Sequence, residues 1–357
     1  MKLLSVTMND GVMPRSEIEG KDNSSEDKSN YKVVITGDMV YNSMRMWQGA
    51  NGISSCNGIV SPAYTVLMPK IPISNGYFAA FFKSPNLINE FRKNSQGMTS
   101  DTWNLKYPQI ETIKVCIPAL TEQNRVADML GTLERRITKQ AQLVENLKKY
   151  KRGVVRALLT HDPCCIAGAT WTTAKIGDLG SFTKGAPLSK ADIAPDGTPF
   201  ILYGELYTTY HEVINAVIRR THAQPEKQYY SRVGDVIIPT SGETPEEIST
   251  AACVMLPDII LAGDLNIFRS SKIDGRIMSY ILNHIVSGQI ARIAQGKSVV
   301  HIQANELSKI EISYPDYNTQ RKMIKIFDAL NARTEIAQKK LMALRCIQKA
   351  LLQQLFI

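Results

Sequence analysis

The sequence predicts an α+β protein made of two tandem copies of one unit, each a mixed, strand-rich domain followed by a long helix. Three observations predict this fold class. Landmark residues recur about 197 positions apart, two helical segments carry matching heptad patterns, and short β-type runs alternate with turn residues. A chain of 357 residues is long enough for two or three domains that each bury a core.

The internal repeat is the most informative feature, because self-similarity at a fixed offset indicates repeated architecture. Gly37-Asp38 recurs as Gly234-Asp235, and Gln123 recurs as Gln320. The second copy begins with additional residues, Trp171–Phe200, that have no counterpart in the first copy. We therefore expect a pseudo-two-fold internal repeat whose first copy lacks an opening strand and loop.

The two long helices are predicted from their heptad patterns. In 126–158 and in 323–355, positions taken in alternating steps of four and three are apolar at eight of ten sites. Such a seam predicts a coiled coil, and the matching length predicts that the helices pair with each other in antiparallel orientation. A helix of roughly 37 residues spans ~55 Å, compared with ~34 Å for one turn of B-DNA. Thr121 and Asn318 are the predicted N-caps.

The remaining segments alternate between short β-type runs and shorter helices. The predicted strands are Tyr31–Ile35, Val60–Leu67, Lys114–Ile117, Val233–Pro239, Ala252–Leu256, Val299–Ile302 and Glu311–Tyr314. The predicted shorter helices are Ile73–Lys93 and Arg276–Ile293. The resulting domains are a first strand-rich domain at 1–118, a first long helix at 119–160, a linker at 161–170, a second strand-rich domain at 171–315 and a second long helix at 316–357.

Composition and motifs disfavour several classes of protein. No apolar run reaches the ~18 residues that cross a membrane, and the amino-terminal residues do not resemble a secretory signal. The six cysteines form no C-x-x-C pair, so we expect reduced thiols in a cytoplasmic protein. No glycine-rich phosphate loop opens a helix, and no His or Cys set has metal-site spacing. We therefore expect a non-catalytic chain with no cofactor or metal of its own.

The positive charge is concentrated in the two long helices. The chain carries a net +9, of which 119–160 and 316–357 contribute +5 each, whereas 161–315 carries −3. This distribution permits a polyanionic partner without proving one. The basic side chains of the helices have two interpretations: a solvated face of the coiled coil, or contacts with DNA or with acidic partner surfaces.

One recurring pattern resembles a known family. Ile117-Pro118 precedes a helix that opens with Glu122-Gln123, and Tyr314-Pro315 precedes one that opens with Gln320-Arg321. Together with the Gly-Asp strand entries, the Gln-Gly loops and the leucine-rich helix ends, this pattern resembles the specificity subunit of type I restriction–modification systems. The resemblance covers nearly the whole chain, with the order and spacing of both copies.

The resemblance implies that each strand-rich domain is a target-recognition domain that reads one half of a bipartite sequence in double-stranded DNA. It implies that the helices set the spacer and dock two methyltransferase subunits, which bind S-adenosylmethionine and methylate adenine at N6. Restriction subunits that use ATP and magnesium would complete the nuclease. It also implies a non-catalytic subunit that works in the cytoplasm, without a membrane partner.

The short front of the first domain departs from the family pattern, which opens as this chain does at Lys175–Leu179. A truncated gene product, an incomplete start and one cassette of a shuffling locus are all compatible with this departure. The alternative functions are a truncated or silent subunit that reads one half-site, a regulator, and a protein-binding scaffold. A free-standing methyltransferase is disfavoured because the cofactor loops are missing.

Candidate DNA contacts lie in the loops after the Gly-Asp strands and in the Gln-Gly loops, because bases and phosphates are read by polar and basic side chains on accessible loops. The candidates in the first domain are Asn42, Ser43, Arg45, Gln48, Asn51, Ser95, Gln96 and Thr99. Those in the second are Lys184, Tyr203, Glu205, Thr240, Ser241, Glu243, Thr244, Gln295, Lys297 and Ser298. We assign Arg219 and Arg220 to the surface or to phosphates, and Trp47 and Trp103 to the core or to loop anchoring in preference to stacking on DNA.

Overall fold

A computed structural model of the chain describes residues 1–8, 11–20, 22, 24–99, 102–160, 168–296 and 300–356. The chain forms two compact units. Unit 1 comprises Met1–Val144 with Ile336–Ile357, and unit 2 comprises Glu145–Glu335. Most of the predicted linker at 161–170 lies outside the described residues. None of the described helices combines the length and apolar character needed to cross a membrane.

Nineteen strands and eleven α-helices make up the described structure. The strands are β1 (Leu3–Thr7), β2 (Gly11–Pro14), β3 (Lys32–Val34), β4 (Met39–Asn42), β5 (Asn51–Ile53), β6 (Gly58–Val60), β7 (Tyr64–Leu67), β8 (Trp171–Lys175), β9 (Gly180–Lys184), β10 (Thr198–Leu202), β11 (Val213–Ile214), β12 (Arg220–Thr221), β13 (Asp235–Pro239), β14 (Ser241–Gly242), β15 (Ala252–Val254), β16 (Ile260–Ala262), β17 (Leu265–Ser270), β18 (Val300–His301) and β19 (Glu311–Pro315). The helices are α1 (Asn75–Phe81), α2 (Pro85–Asn94), α3 (Tyr107–Glu111), α4 (Leu120–Leu159), α5 (Ile176–Leu179), α6 (Glu205–Thr208), α7 (Pro245–Ile248), α8 (Gly275–His284), α9 (Ser287–Ile293), α10 (Ala304–Ser308) and α11 (Tyr317–Leu355).

Unit 1 contains two small sheets. One has the strand order β2-β1-β6-β3, with β1 and β6 parallel, and the other has the antiparallel order β5-β4-β7. The apolar side chains of β1, β4 and β6, including Leu4, Val40 and Val60, form one buried cluster. A second cluster packs Tyr41 of β4 against Leu87 and Phe91 of α2. The helix α2 is therefore fixed to the sheet whose loops hold the first set of candidate residues.

Unit 2 is built around a five-stranded sheet of order β11-β15-β13-β17-β9. Its central strand β13 is buried along its whole length, as its unbroken apolar run predicts. A three-stranded sheet of order β12-β10-β16 lies in the same unit, together with the pairs β14-β18 and β19-β8. The helix α8 buries its apolar face in the largest core cluster, through residues such as Ile277 and Ile281.

The repeated Gly-Asp pair forms the same turn in both units. Gly37 and Gly234 have φ angles of +96° and +95°, the left-handed region that glycine adopts without strain. In both turns the aspartate carboxylate accepts a backbone N–H three residues earlier at 2.9 Å, Asp38 from Ile35 and Asp235 from Arg232. The pair therefore places a fixed turn immediately before β4 and at the start of β13.

A buried glutamine opens each long helix with the same two hydrogen bonds. Gln123 accepts from the backbone N–H of Ser74 at 3.0 Å and donates to the Pro118 carbonyl at 2.9 Å. Gln320 accepts from the backbone N–H of Asp274 at 2.9 Å and donates to the Pro315 carbonyl at 2.8 Å. Ser74 and Asp274 are the N-caps of α1 and α8. We refer to this three-way contact as the glutamine latch.

The helix α4 buries most of the seam that its heptad pattern predicts. The seam positions of α4 from Val126 to Val144 are each at most 9% exposed. In unit 1, Leu133 and Ile137 share a cluster with Leu344, and Gln140 donates to the Ala337 carbonyl at 2.9 Å. Glu134 also accepts from Gln348. Because higher numbers in α4 meet lower numbers in α11, these segments run antiparallel.

In unit 2 the other ends of both long helices join the main core. Val155 and Leu158 of α4 share the largest cluster with Met323 and Phe327 of α11. Each unit therefore includes one end of α4 and the opposite end of α11, so neither strand-rich part has a complete core without the helices.

A polar residue of the α4 seam, Lys151, forms an ion pair within unit 2. Lys151 places Nζ 2.8 Å from Glu212 Oε2, and His284 Nε2 lies 2.8 Å from Glu212 Oε1. Burial alone would raise the pKa of Glu212, but the hydrogen bond from His284 and the charge of Lys151 outweigh it and lower the pKa to about 2. The ammonium group of Lys151 also lies 5.8 Å from the centre of the Tyr280 ring.

Several local predictions are wrong. Residues 114–117 form no strand, because a strand needs a hydrogen-bonded neighbour and no described strand of unit 1 pairs with them. In unit 2 the matching strand β19 pairs with β8. The predicted N-caps Thr121 and Asn318 lie inside their helices. Asp316 caps α11 instead, through its carboxylate and the N–H of Thr319 at 3.1 Å.

The predicted shorter helices are each divided in two. The segment Ile73–Lys93 forms α1 and α2, which are interrupted before Pro85 because proline disfavours the helical conformation of the residue that precedes it. The segment Arg276–Ile293 likewise forms α8 and α9.

Replacing a latch glutamine should destabilise its unit. We expect Gln320→Ala to lower the free energy of unfolding by about 2 kcal/mol, because it removes two buried hydrogen bonds and leaves their backbone partners unpaired. Urea unfolding followed by circular dichroism measures this change. Gln353→Ala, on an exposed position of the same helix, is the control. A Gln320→Ala effect no larger than that of the control would contradict the latch.

The stabilisation from Glu212 should depend on pH. Because folding lowers the pKa of Glu212 from its ordinary 4.5 to about 2, the charged carboxylate stabilises the folded chain. That contribution is complete above pH 4.5 and is lost as the pH falls towards 2. We expect Glu212→Gln to destabilise the chain by about 2 kcal/mol at pH 6 and progressively less between pH 5 and 3. Urea titrations at each pH test this, with Glu311→Gln, at the exposed first position of β19, as the control. A pH-independent effect would contradict the prediction.

Candidate nucleic-acid interface

The first candidate segment of unit 1 is the short connection between β4 and β5. Asn42 accepts the N–H of Met44 at 3.0 Å and so holds the turn, while Ser43 and Asn51 are buried. Arg45 precedes a single 3₁₀ turn that ends at Gln48, and both residues remain partly exposed. Asn42, Arg45 and Gln48 are therefore the candidates in this segment that are partly exposed, and the buried Ser43 and Asn51 help to shape the turn.

The second candidate segment of unit 1 follows α2. Gln96 and Asn104 exchange two backbone hydrogen bonds of 3.0 and 2.8 Å, which close a loop around Gly97. Ser95 donates to the Phe91 carbonyl at 2.7 Å at the end of α2. Gln96 and Thr99 are exposed on the loop. This loop therefore presents polar side chains to the surface, and the two backbone hydrogen bonds hold its ends together.

Two tryptophans join the candidate segments of unit 1. The rings of Trp47 and Trp103 meet edge to face, with their centres 5.2 Å apart, and the guanidinium of Arg92 lies 5.7 Å from the Trp47 ring. The N–H of Leu105 also donates to the Ser43 carbonyl at 2.8 Å. These contacts support the anchoring role predicted for the tryptophans, because they hold the two loops together.

The two candidate loops of unit 2 also come together. The strand β14, which contains Ser241, pairs with β18, and His301 of β18 exchanges two backbone hydrogen bonds with Gln295. Thr244 caps α7 by accepting the N–H of Glu247 at 3.2 Å. Ser241 is buried and donates to Asp264 at 2.8 Å. Lys297 and Ser298, the remaining candidates of this loop, lie outside the described residues.

Five candidates of unit 2 line one open groove of about 930 Å³. They are Lys184, Tyr203, Glu205, Thr240 and Glu243. Three separate stretches of the chain contribute them, at the end of β9, around the start of α6 and on either side of β14. Arg219 and Tyr207 line the same groove. We call this surface the unit 2 groove.

The unit 2 groove has mixed charge rather than a uniformly basic lining. Its lining includes the basic side chains of Lys184, Lys190 and Arg219 and the carboxylates of Glu205, Glu243 and Asp264. Burial raises the pKa of Tyr207, so its hydroxyl stays protonated and able to donate at neutral pH. Such a lining offers hydrogen-bond donors and acceptors side by side, which suits the edge of a base better than a phosphate.

Two residues of this groove were missed or misjudged from the sequence. Tyr207 lies four residues after Tyr203, a spacing that places both rings on neighbouring positions of a helical turn, and the ring centres are 6.5 Å apart. That spacing would have pointed to Tyr207. The sequence shows that Arg219 is charged but does not predict its contact with Glu205, because Glu205 lies 14 residues earlier in the chain.

Within the part of the chain that the structure describes, no group of three or more His, Cys, Asp or Glu side chains is placed to hold a metal ion.

Comparison with known proteins identifies the family. The model of the type I restriction modification DNA specificity domain matches residues 169–345. The type I restriction-modification system S subunit from M. genitalium has a similar structure, with a TM-score of 0.62 and 15% identity over 99% of this chain and 94% of that one. A structure concerned with complex assembly and conformational transition of the type I R-M system gives a TM-score of 0.57 and 16% identity, over 92% and 83%. At such low identity these two likenesses establish the fold.

The α+β architecture with the long helix α4 is thus one that solved type I S subunits share. Residues 169–345 match the model of the type I restriction–modification DNA specificity domain. The resemblance inferred from the sequence is confirmed.

The tryptophan contact should govern the order of both unit 1 loops. We expect Trp47→Ala to speed amide hydrogen exchange about fivefold in 43–49 and in 95–105, since an edge-to-face pair is worth roughly 1 kcal/mol. Exchange followed by mass spectrometry measures this. Met98→Ala, at a fully exposed position of the second loop, is the control. Unchanged exchange in 95–105 would show that the tryptophans do not couple the loops.

Proposed function

We propose that this chain is the DNA sequence-specificity subunit of a type I restriction–modification complex. The observation that carries the proposal is the unit 2 groove, in which side chains suited to base recognition come together from distant parts of a domain of the specificity family. The site residues predicted for both units are proposed as DNA contacts, directly or through the loops they shape.

The proposed target is bipartite, with one half-site for each unit. The same Gly-Asp turn, glutamine latch and pair of joined loops occur in both units, which supports two readers of one kind. The long helices, proposed to pair as an antiparallel coiled coil with pseudo-two-fold symmetry, would set the spacer between the half-sites. The buried seam and the contact between Gln140 and Ala337 support this pairing.

The proposed partners are double-stranded DNA, two methyltransferase subunits and restriction subunits. One similar structure concerns complex assembly of a type I system, which supports partner subunits here. The chemistry would belong to those partners: S-adenosylmethionine in the methyltransferase for adenine N6 methylation, and ATP with magnesium in the restriction subunit. In this proposal the chain itself is non-catalytic, acts in the cytoplasm and has no cofactor or membrane partner.

A second candidate function is a half-site reader or regulator in which only unit 2 recognises DNA. The observation in its favour is the difference between the units. In unit 2, β17 pairs with β9 and β19 pairs with β8, whereas in the described part of unit 1 β7 pairs only with β4 and 114–117 forms no strand. A motif with a single half-site, or a palindromic repeat of it, would support this alternative.

Methylome sequencing tests the function. Cells that lack other adenine methyltransferases would express the chain with its methyltransferase subunit, and the control would express the methyltransferase alone. We expect N6-methyladenine in two different half-sites around a fixed spacer, only when the chain is present. No motif, with the complex shown to assemble by gel filtration, would contradict the proposed function.

Lengthening both helices should lengthen the spacer. Duplicating 134–140 in α4 and 337–343 in α11 adds one heptad at facing positions and so preserves the seam. Seven residues add about 10.5 Å, so we expect about three more base pairs between unchanged half-sites. Duplication in one helix only is the control, and should abolish methylation because the seams no longer match. An unchanged spacer in the double duplication would contradict the ruler role.

A further inference from the structure

We propose that Arg219 reads a guanine in the half-site recognised by unit 2, and that Glu205 positions it for this task. The inference rests on the proposed function. Charge alone assigns Arg219 to the surface or to phosphates, whereas in this inference Arg219 determines sequence specificity.

The backbone of Arg219 is fixed to the sheet beside the unit 2 groove. Its carbonyl accepts the N–H of Phe200 at 3.1 Å, immediately before Arg220 pairs with Pro199 in β10. The side chain therefore starts from a backbone position that a hydrogen bond holds to β10, and such support is what a base-reading group needs.

Glu205 holds one edge of the Arg219 guanidinium. Arg219 Nε donates to Glu205 Oε1 at 3.0 Å, and Glu205 Oε2 accepts the N–H of Leu202 at 3.2 Å. Glu205 is only 7% exposed. A buried carboxylate bound on one side to the backbone and on the other to the guanidinium limits the arginine to a narrow range of directions.

The terminal nitrogens of the Arg219 guanidinium are available to a ligand. Its side chain is 49% exposed in the groove, and its terminal nitrogens make no hydrogen bond or ion pair to any described residue. Arg269 provides the contrast within the same unit. Its side chain is 18% exposed, its Nε and Nη2 donate to the Asp235 carboxylate, and Nη2 also donates to the Tyr230 carbonyl. Arg269 is therefore structural, whereas Arg219 keeps part of its donor set for a ligand.

The groove favours a base over a phosphate as that ligand. Glu205 already offsets the charge of Arg219, and Glu243 and Asp264 offset the charges of Lys184 and Lys190, so the groove has no excess positive charge to hold a phosphate. The remaining fork of N–H donors matches the O6 and N7 acceptors of guanine in the major groove, which is the commonest specific contact of arginine with DNA. Lysine cannot form this planar bidentate contact.

The test compares methylomes of cells that express the methyltransferase with the wild-type chain or with Arg219→Lys, Arg219→Gln or Glu205→Gln. We expect Arg219→Lys and Glu205→Gln to weaken the preference for one guanine position by about tenfold or more, and Arg219→Gln to shift it towards adenine. The other positions, the second half-site and the spacer stay unchanged. Arg220→Gln is the matched control, since this exposed neighbour donates to the Gly197 carbonyl, and its motif should equal that of the wild type.

Binding with a modified base gives an independent measurement. Replacing that guanine with 7-deazaguanine, which lacks N7, should weaken binding of the wild-type complex but not that of the Arg219→Lys complex. Arg45→Gln in unit 1 should leave this guanine position unchanged, which assigns the half-site to unit 2.

The possible failures are distinguishable. If the wild-type chain directs no motif, the proposed function fails and the inference fails with it. If the wild-type motif is obtained but Arg219→Lys and Arg219→Gln leave every position unchanged, only the inference is overturned. A uniform loss of methylation by Arg219→Lys in an assembled complex would also overturn it, because that result indicates general affinity rather than recognition of one base.

Discussion

The glutamine latch is the contact on which each unit depends. In each unit one buried amide joins the start of a long helix, the carbonyl of the preceding proline and the N-cap of a shorter helix. Because an unpaired buried amide is costly, the three elements keep one relative geometry. The shorter helix packs under the sheet that carries the candidate loops, so the direction of those loops within a unit is fixed by the long helix.

Affinity and specificity are divided between different parts of the chain. The excess positive charge lies in the long helices, whereas the region that contains the unit 2 groove is slightly acidic overall. Phosphate neutralisation supplies most nonspecific DNA affinity, so a domain of this charge is suited to selecting bases rather than to holding DNA by itself. Tight binding would then need the partner subunits, which is why the proposed function is that of a subunit.

The sequence predicted the features that repeat and missed those that depend on distant partners. Gln123 and Gln320, the Gly-Asp turns and the buried seam could be predicted because local spacing determines them. The strand at 114–117 was wrong because a strand requires a neighbour that local sequence does not reveal. Asn51 is buried and Thr244 caps α7, and the direction of either side chain depends on the turn around it. The role proposed for Arg219 depends on its hydrogen bond to Glu205, and only the fold brings the two residues together.

The most direct test of the account is selection of binding sites from random double-stranded DNA by the purified complex of this chain with its methyltransferase subunit. Protein-bound DNA would be sequenced over several rounds at a fixed salt concentration, beside the methyltransferase alone. The account predicts enrichment of two separated half-sites that appears only when the chain is present. Equal sequence preference with and without the chain would contradict it.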